Sequence, residues 1–182
     1  MQITFIRHLP TEWNERTLLQ GKRDTHLMPV TSFNRNKILD NKKQLEKVRP
    51  FDLVLASSMK RTQQTANHYG YEGRIEPLLD ELDFGEFEGK PKDEIIKKYG
   101  DIWFENPREI TLGERMTDLE KRINTFLNKY QDYSNILVFG HGSWIRAFLS
   151  YVRFGHINEM NKITVENNEC ITLNAAQKMN KR

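Results

Sequence analysis

Residues 3–11 read Ile3-Thr4-Phe5-Ile6-Arg7-His8-Leu9-Pro10-Thr11, a short apolar run that ends in an arginine and a histidine. A later run with a similar ending is Ile136-Leu137-Val138-Phe139-Gly140-His141-Gly142-Ser143. Short apolar runs bounded by glycine or proline are typical of buried strands. Ligands of open α/β sheets bind in the crevice at the carboxyl ends of the strands. His8 and His141 are therefore expected to face one another across a single site, and Arg7 indicates an anionic substrate.

Apolar strands and amphipathic helices alternate along the whole chain. The predicted strands cover residues 2–6, 52–56, 75–79, 135–139 and 169–173. The predicted helices cover residues 31–48, 57–69, 92–99, 114–130 and 143–152. This alternation predicts a three-layer α/β fold, with a mainly parallel central sheet and helices on both faces.

Two details of the helices follow from the local sequence. In the helix over residues 31–48, the side chains expected to face the core are Phe33, Ile38, Leu45 and Val48. Ser57 or Ser58 is expected to cap the helix that follows the second strand, because a serine hydroxyl can accept from the first free N–H groups.

The length of the chain indicates a single domain over residues 1–182. Residues 9–28 show little periodicity, and a loop of this length in a compact domain is often functional. Residues 82–113 contain four glycines and two prolines. They are expected to form an irregular cover over the sheet, and the polar tail from Ala175 is expected to be frayed.

The composition argues against several classes of function. The net charge is only +3, with 28 basic and 25 acidic residues, so a nucleic-acid partner is not expected. The single cysteine, Cys170, cannot form an internal disulfide, which favours a reducing compartment. The N-terminus lacks the pattern of a signal peptide, and no apolar run approaches the ~20 residues of a membrane span. We therefore expect a cytoplasmic protein without a membrane partner, which could associate as a homodimer.

Three predicted strand ends bring candidate site residues to one edge of the sheet. The first strand delivers Arg7 and His8, the fourth delivers His141, and the helix after the second strand carries Arg61 in its first turn. An arginine guanidinium can bond two phosphate oxygens at once, and helix N-termini favour anions. Each residue has an ordinary structural explanation when taken alone. Their coincidence at three strand ends indicates a phosphate site.

Five ordered segments resemble the motifs of the histidine phosphatase superfamily, the group that includes cofactor-dependent phosphoglycerate mutases and many phosphatases. These segments are Arg7-His8-Leu9-Pro10-Thr11-Glu12-Trp13-Asn14 with Leu19-Gln20-Gly21 and Asp24, Ser57-Ser58-Met59-Lys60-Arg61-Thr62-Gln63-Gln64-Thr65-Ala66, Glu81-Leu82-Asp83-Phe84-Gly85-Glu86-Phe87-Glu88-Gly89, Gly113-Glu114 with Asp118 and Arg122, and Gly140-His141-Gly142-Ser143. The resemblance runs from about residue 2 to residue 173. It implies a phosphoglycerate mutase-like fold.

The chain departs from the common family pattern at two places. Most members have a glycine after the first histidine, where this chain has Leu9-Pro10. The resulting His-x-Pro-Thr pattern is similar to the α-ribazole-5′-phosphate phosphatase branch, whereas Trp13-Asn14 is similar to the mutases and broad phosphatases. Many members have Asp-x-Pro-Leu where this chain has Asp24-Thr25-His26-Leu27. The departures concern the substrate rather than the core chemistry.

In the mechanism that the resemblance implies, His8 attacks phosphorus and forms a phosphohistidine, with its other ring nitrogen bonded to a backbone carbonyl. Arg7, Arg61 and His141 hold the phosphoryl oxygens. Glu81, with Asp83 as its rival, protonates the leaving oxygen and then activates water. The residues expected to bind the substrate are Asn14, Gln20, Gly21 and Gly142. The resemblance implies neither a metal ion nor another cofactor.

The favoured function is a phosphomonoester hydrolase that acts on a small phosphorylated metabolite. In the family, mutases carry an extra basic segment over the site, and residues 85–113 contain no Arg-Arg pair. Two alternatives stay open, a cofactor-dependent phosphoglycerate mutase and a phosphate-ester-binding module without turnover. Three further histidines belong to none of these motifs, and no catalytic role is expected for them: His26, His68 and His156.

Overall fold

The computed structural model of the protein describes residues 1–175. The predicted frayed tail beyond Ala175 lies outside the described residues. Ala175 itself is buried, and its N–H donates to the carbonyl of Met1 at 3.0 Å.

The described residues form one five-stranded sheet with the order β3-β2-β4-β1-β5. Its strands are β1 (Gln2–Arg7), β2 (Leu53–Ala56), β3 (Arg74–Ile75), β4 (Asn135–Gly140) and β5 (Cys170–Asn174). All neighbouring strands are parallel except β5, which runs antiparallel to β1. The predicted mainly parallel sheet is confirmed. Because β1, β2 and β4 are parallel neighbours, their carboxyl ends lie along one edge.

Seven α-helices pack around the sheet within residues 1–175. They are α1 (Glu12–Glu15), α2 (Ser32–Val48), α3 (Lys60–Tyr69), α4 (Asp93–Tyr99), α5 (Ile102–Glu105), α6 (Met116–Lys129) and α7 (Gly142–Phe154). Short 3₁₀ turns lie at Pro77–Leu79, Gly85–Phe87, Pro107–Glu109 and Met160–Lys162. None of these described helices is both long and apolar enough to cross a membrane.

Alternate strand residues face two separate cores, one on each side of the sheet. One core joins Ile3, Phe5 and Val138 to side chains of α6 and α7. The other core joins Ile6, Phe139 and buried residues of α2 and α3. Because successive side chains of a strand point to opposite faces, continuous apolar strands require helices on both sides. The predicted three-layer α/β fold is confirmed.

The cover over residues 82–113 packs onto the α6 side rather than standing off the surface. It contains α4 and α5, and it buries Phe87, Trp103 and Ile110 in the core beside α6. Its course depends on Gly113, because a Cβ built there would lie 1.7 Å from the Asp83 carboxylate.

Two predictions about α2 and α3 are wrong in detail. Phe33 is 73% exposed, because the buried stripe of α2 runs through Ile38, Asn41 and Leu45 and passes on the other side of the helix. Neither Ser57 nor Ser58 caps α3, whose cap is Met59 without a side-chain hydrogen bond.

Two element boundaries also differ from the sequence prediction. The predicted strand over residues 75–79 ends at Ile75, and Pro77 opens a 3₁₀ turn because it has no N–H to give to a strand ladder. The loop over residues 9–28 contains α1, which a capping box between Thr11 and Asn14 starts.

Candidate active site

A crevice of about 380 Å³ opens at the carboxyl ends of β1, β2 and β4. Sequence-predicted site residues that line it are Arg7, His8, Asn14, Gln20, Gly21, Arg61, Glu81 and Gly142. His141 does not line it, but its ring contacts that of His8, with 5.4 Å between the ring centroids. The structure therefore brings all the predicted site residues together at the predicted edge.

His8 is held at the end of β1 with one ring nitrogen engaged. Its Nδ1 lies 2.7 Å from the carbonyl oxygen of Leu9, and its side chain is almost fully buried. Burial, reinforced by the nearby charges of Arg61 and Arg7, lowers the pKa of His8 well below its usual value. A neutral imidazole that donates from Nδ1 keeps a lone pair on Nε2. His8 can therefore act as a nucleophile through Nε2.

The unusual Leu9 has a structural role beside His8. Its side chain is buried in the core on the α2 and α3 side, and its N–H donates to Thr65 Oγ1 at 3.0 Å. A glycine has no side chain to pack there. The larger residue therefore ties the carbonyl that holds His8 to the helical layer behind the sheet.

His141 follows β4 and precedes α7. Its Nε2 lies 2.7 Å from Ser57 Oγ, and its Nδ1 is buried without a hydrogen-bond partner among residues 1–175. Thr62 donates its own hydroxyl proton to a main-chain carbonyl, so the Ser57 proton is free to go to Nε2. Burial, with Arg61 and His8 nearby, lowers the pKa of His141 well below its usual value. In the tautomer that accepts from Ser57 at Nε2, the neutral ring carries its proton on Nδ1, which can donate to an anion.

Arg7 and Arg61 present guanidinium groups whose position is fixed by main-chain carbonyls. Arg7 Nη1 donates to Val165 at 2.6 Å, and Arg61 Nη2 donates to Gly21 at 2.7 Å. The Nε atoms of both are buried and have no hydrogen-bond partner in the described part of the chain. Burial lowers the pKa of both groups, although arginine stays protonated in proteins.

Glu81 meets the first turn of α7 through both carboxylate oxygens. The N–H of Ser143 donates to Oε2 at 3.1 Å, and the N–H of Trp144 donates to Oε1 at 3.1 Å. Arg122 supports this segment from α6 by donating to the carbonyls of Leu78 and Asp80. These contacts point the carboxyl group of Glu81 into the crevice.

Asp83, the rival carboxylate, lies outside the crevice lining. Its Oδ1 accepts from the N–H of Gly85 at 2.8 Å, and its carbonyl accepts from the N–H of Gly113 at 3.0 Å. Asp83 therefore supports the cover, and the geometry favours Glu81 as the acid.

Two of the predicted binding residues are glycines that the site needs. A Cβ at Gly142 would lie 3.1 Å from Arg7 Cζ, so a side chain would push the guanidinium out of place. Gly21 has φ +55° and gives its carbonyl to Arg61. The side-chain amides of the other two predicted binding residues, Asn14 and Gln20, are held by Thr11. Asn14 Oδ1 accepts from the Thr11 N–H, and Gln20 Oε1 accepts from the Thr11 hydroxyl.

Sequence reasoning missed two cations at the crevice, Arg146 and Lys92. Burial lowers the pKa of Arg146 to about 10, and the guanidinium donates to Ser143 Oγ. Burial and the charge of Arg146 lower the pKa of Lys92. Arg146 was detectable in principle, because it lies four residues after Gly142 on one face of α7. Residues 163–167 also line the crevice, and no motif or spacing in the sequence predicts their position there.

The three remaining histidines lie away from the crevice lining. His26 Nδ1 contacts Gln64 Nε2 at 3.0 Å, His68 is exposed, and His156 Nδ1 accepts from the N–H of Asn158. Within residues 1–175, no group of three or more His, Cys, Asp or Glu side chains is arranged to hold a metal ion.

A buried histidine beside two arginines at the edge of a mainly parallel sheet places the chain in one class, the α/β proteins with an anion site built around a histidine. The family model of the histidine phosphatase superfamily (branch 1) matches residues 3–180. The chain belongs to this superfamily, as the sequence resemblance predicted.

Two relatives show the range of the family around this chain. A candidate phosphoserine phosphatase 2 of Hydrogenobacter thermophilus is 29% identical over 159 residues, which cover 81% of this chain and 76% of the relative. A 2,3-bisphosphoglycerate-dependent phosphoglycerate mutase of Bartonella henselae is 29% identical over 168 residues, covering 81% and 79% of the two chains.

Solved structures share the fold. The α-ribazole phosphatase of Shigella flexneri superposes with a TM-score of 0.75 at 23% identity, covering 96% of this chain and 90% of the other. A phosphoglycerate mutase of Thermus thermophilus gives a TM-score of 0.74 at 22% identity, covering 95% and 92%. The predicted phosphoglycerate mutase-like fold is confirmed.

Proposed function

We propose that the protein is a phosphomonoester hydrolase that acts on small phosphorylated metabolites through a phosphohistidine at His8. The observation that carries the proposal is the set of unpartnered buried donors, the Nε atoms of Arg7 and Arg61 and Nδ1 of His141, next to a neutral His8. Buried donors without a partner cost free energy unless a ligand accepts from them. A phosphoryl group has three equatorial oxygens that can do so.

In the first step, the lone pair of His8 Nε2 forms a bond to phosphorus as the bond from phosphorus to the leaving oxygen breaks. Glu81, in its protonated form, gives its proton to that oxygen, so an alcohol leaves instead of an alkoxide. Arg7, Arg61 and His141 donate to the equatorial oxygens throughout. Phosphoryl transfer depends mainly on positioning and charge stabilisation, which this set of donors supplies.

In the second step, water attacks phosphorus and the bond between nitrogen and phosphorus breaks. Glu81, now a carboxylate, takes a proton from the water. The electron pair returns to Nε2, and inorganic phosphate leaves. The same carboxyl group therefore serves both steps in opposite protonation states.

The guanidinium groups supply the positive charge that a metal ion supplies in many phosphatases. We therefore expect phosphate release from a small ester to be unchanged after treatment with EDTA and gel filtration. Loss of activity that Mg²⁺ or Zn²⁺ restores would contradict this part of the proposal.

The test of the proposal is rapid-quench labelling with a ³²P-labelled small phosphate ester. We expect acid-labile label on the wild-type protein, together with steady release of phosphate. His8→Ala is expected to lose both, whereas the exposed control His68→Ala keeps both. Label that survives in a folded His8→Ala protein would overturn the assignment of the nucleophile. Neither label nor turnover in the wild type would favour the binding module.

Two further cations at the crevice support a substrate with a second anionic group. Arg146 and Lys92 line the crevice, and neither has an acidic side chain within ion-pair distance among the described residues. A carboxylate next to the phosphate ester suits such a pair. Phosphoserine carries a carboxylate near its phosphate ester, and it is the compound in the name of the Hydrogenobacter relative. It is therefore the first substrate to test.

The second candidate function is a phosphoglycerate mutase, which the Bartonella relative and the same two cations favour. A mutase returns the phosphoryl group to a bound intermediate, while a hydrolase passes it to water. We expect release of inorganic phosphate to exceed interconversion of 2- and 3-phosphoglycerate, measured in the presence of the bisphosphate. The reverse ratio would favour the mutase.

A further inference from the structure

Residues 165–169, here called the asparagine turn, close over the end of β1 just before β5 begins. The N–H of Arg7 donates to the carbonyl of Glu169 at 3.1 Å, and the N–H of Asn168 donates to the carbonyl of Arg7 at 3.0 Å. Arg7 Nη1 donates to the carbonyl of Val165 at 2.6 Å. The asparagine turn therefore holds both the main chain and the guanidinium of Arg7.

Asn167 connects the asparagine turn to two other residues of the site. Its Nδ2 donates to the carbonyl of His8 at 2.9 Å and to Asn14 Oδ1 at 3.3 Å. An amide nitrogen carries two hydrogens, so each of these acceptors can receive one. Asn14 Oδ1 also accepts from the N–H of Thr11 at 3.1 Å.

These contacts decide which way the amide of Asn14 points. The N–H of Thr11 and the NH₂ group of Asn167 are both donors, and both reach Oδ1. Rotation of the amide by half a turn would place its NH₂ group against those donors. Asn14 also lines the crevice, so the fixed orientation leaves Nδ2 as the atom that can donate to a phosphoryl oxygen.

Asn168 anchors the asparagine turn from behind. It is fully buried and adopts the left-handed conformation, with φ +58°. Its Oδ1 accepts from the Tyr69 hydroxyl at 2.5 Å, and its carbonyl accepts from Asn41 Nδ2 at 2.9 Å. Tyr69 belongs to α3 and Asn41 to α2. The helical layer behind the sheet thus fixes the turn that holds the site in front.

We propose that Asn167 is a positioning residue for phosphoryl transfer, which acts by fixing the amide of Asn14. The inference rests on the proposed function for its catalytic consequence, although the binding of a phosphate ion tests it independently. If Asn167 acts through Asn14, its contribution must disappear once Asn14 has lost its amide.

The experiment is a double-mutant cycle with Asn14→Ala, Asn167→Ala and the combined variant. Each protein is assayed for kcat and KM with p-nitrophenyl phosphate and for the Kd of inorganic phosphate by calorimetry. We expect each single variant to lose roughly 10- to 100-fold in kcat, as misplaced catalytic groups do. The combined variant is expected to stay within about threefold of Asn14→Ala alone, because coupled residues are not additive.

Lys37 provides a matched control on the same turn. Its Nζ donates to the carbonyl of Asn167 at 3.3 Å, and Lys37 is not among the residues that line the crevice. Lys37→Ala removes a contact of the asparagine turn without touching the amide, and it is expected to keep wild-type kcat. If Asn167→Ala does not fold, Asn167→Asp replaces it, since a carboxylate keeps the size but lacks both donors.

The outcomes separate this inference from the proposed function. Losses that multiply in the combined variant would overturn the inference, because Asn167 would then act independently of Asn14. Wild-type kcat and phosphate affinity in Asn167→Ala would also overturn it. A wild-type protein without turnover would refute the hydrolase, but coupled losses in phosphate affinity would still support the positioning role.

Discussion

Two carboxylates near the crevice, those of Glu81 and Asp83, have different surroundings, and the difference indicates different roles. Glu81 lines the crevice and meets the N-terminus of α7, whereas Asp83 accepts from Gly85 inside the cover. If Glu81 is the proton donor, its removal must matter most when the leaving group is a poor one. A nitrophenolate leaves readily without a proton, and a serine alkoxide does not.

We therefore expect Glu81→Gln to lower kcat/KM for phosphoserine by roughly 10²- to 10⁴-fold, the usual contribution of general acid catalysis. The loss with p-nitrophenyl phosphate is expected to be much smaller. Asp83→Asn is the matched control, and it should change both substrates by the same factor. A substrate-dependent loss in Asp83→Asn instead would exchange the two roles.

Two buried histidines make stability depend on pH. Burial lowers the pKa of His8 and His141 in the folded protein, while the unfolded chain binds protons near pH 6.5. Below pH 6.5 the unfolded state therefore takes up protons that the folded state does not. The free energy of unfolding is expected to fall with decreasing pH, by at most about 1.4 kcal/mol per histidine for each pH unit.

Urea unfolding at pH 7.5 and pH 5.5 measures this effect. The double variant His8→Gln/His141→Gln is expected to lose less stability between the two pH values than the wild type loses. An equal pH dependence in both proteins would mean that other groups cause it.

The site residues differ in how well the sequence predicted them. Arg7 and His8 directly follow an apolar strand, so their position at the sheet edge followed from the topology rule alone. Asn167 has no such local signal, because its neighbours in space come from distant parts of the chain. The preference of Nδ1 for a carbonyl was predictable, but not that the carbonyl belongs to Leu9.

Helix α2 illustrates how far periodicity predicts an element. Its length followed from the sequence, since Ser32–Val48 differs from the predicted range by one residue. Its orientation at the N-terminus did not follow, because the stripe of Ile38, Asn41 and Leu45 includes a polar residue that the asparagine turn satisfies. A hydrophobicity pattern cannot assign a buried asparagine to the core.

One residue outside this stripe and one within it give a direct test by mutation. Phe33→Ser is expected to change the free energy of unfolding by less than about 0.5 kcal/mol, because an exposed side chain loses no packing. Ile38→Ala on the same helix is expected to cost about 2–5 kcal/mol. Chemical denaturation of both variants checks this, and comparable losses would contradict the orientation of α2.

At the scale of the whole molecule, the site is assembled from elements that only the completed fold brings together. The buried donors of Arg7, Arg61 and His141 come from three regions of the chain. An oxyanion that binds them binds the folded state alone. It should therefore stabilise the entire chain against unfolding, by about 2.7 kcal/mol when its concentration is a hundred times its Kd.

We expect inorganic phosphate to raise the unfolding temperature of the wild type. Arg61→Gln should abolish most of that increase. Arg49→Gln is the control that removes one surface charge, since Arg49 is exposed and pairs with Glu46. If both variants lose the increase equally, phosphate acts through overall charge and not through the crevice.

The global topology was predictable up to its last strand. Alternating strands and helices predicted parallel strands, and β1, β2, β3 and β4 follow that rule. The antiparallel direction of β5 depends on the asparagine turn, where the left-handed Asn168 helps the chain reverse beside β1. The sequence does not predict that reversal, because asparagine is a common residue and only a small share of asparagines adopt a positive φ.

The hydrogen bond between His8 Nδ1 and the carbonyl of Leu9 also predicts which isomer of phosphohistidine an antibody would detect on the labelled protein. Phosphohistidine exists as two regioisomers, and a ring whose Nδ1 is committed to a carbonyl leaves only the far nitrogen for modification. Antibodies against the tele isomer should therefore recognise the labelled protein, and antibodies against the pros isomer should not. If His8 is the nucleophile, as proposed above, the carbonyl of Leu9 determines which isomer forms.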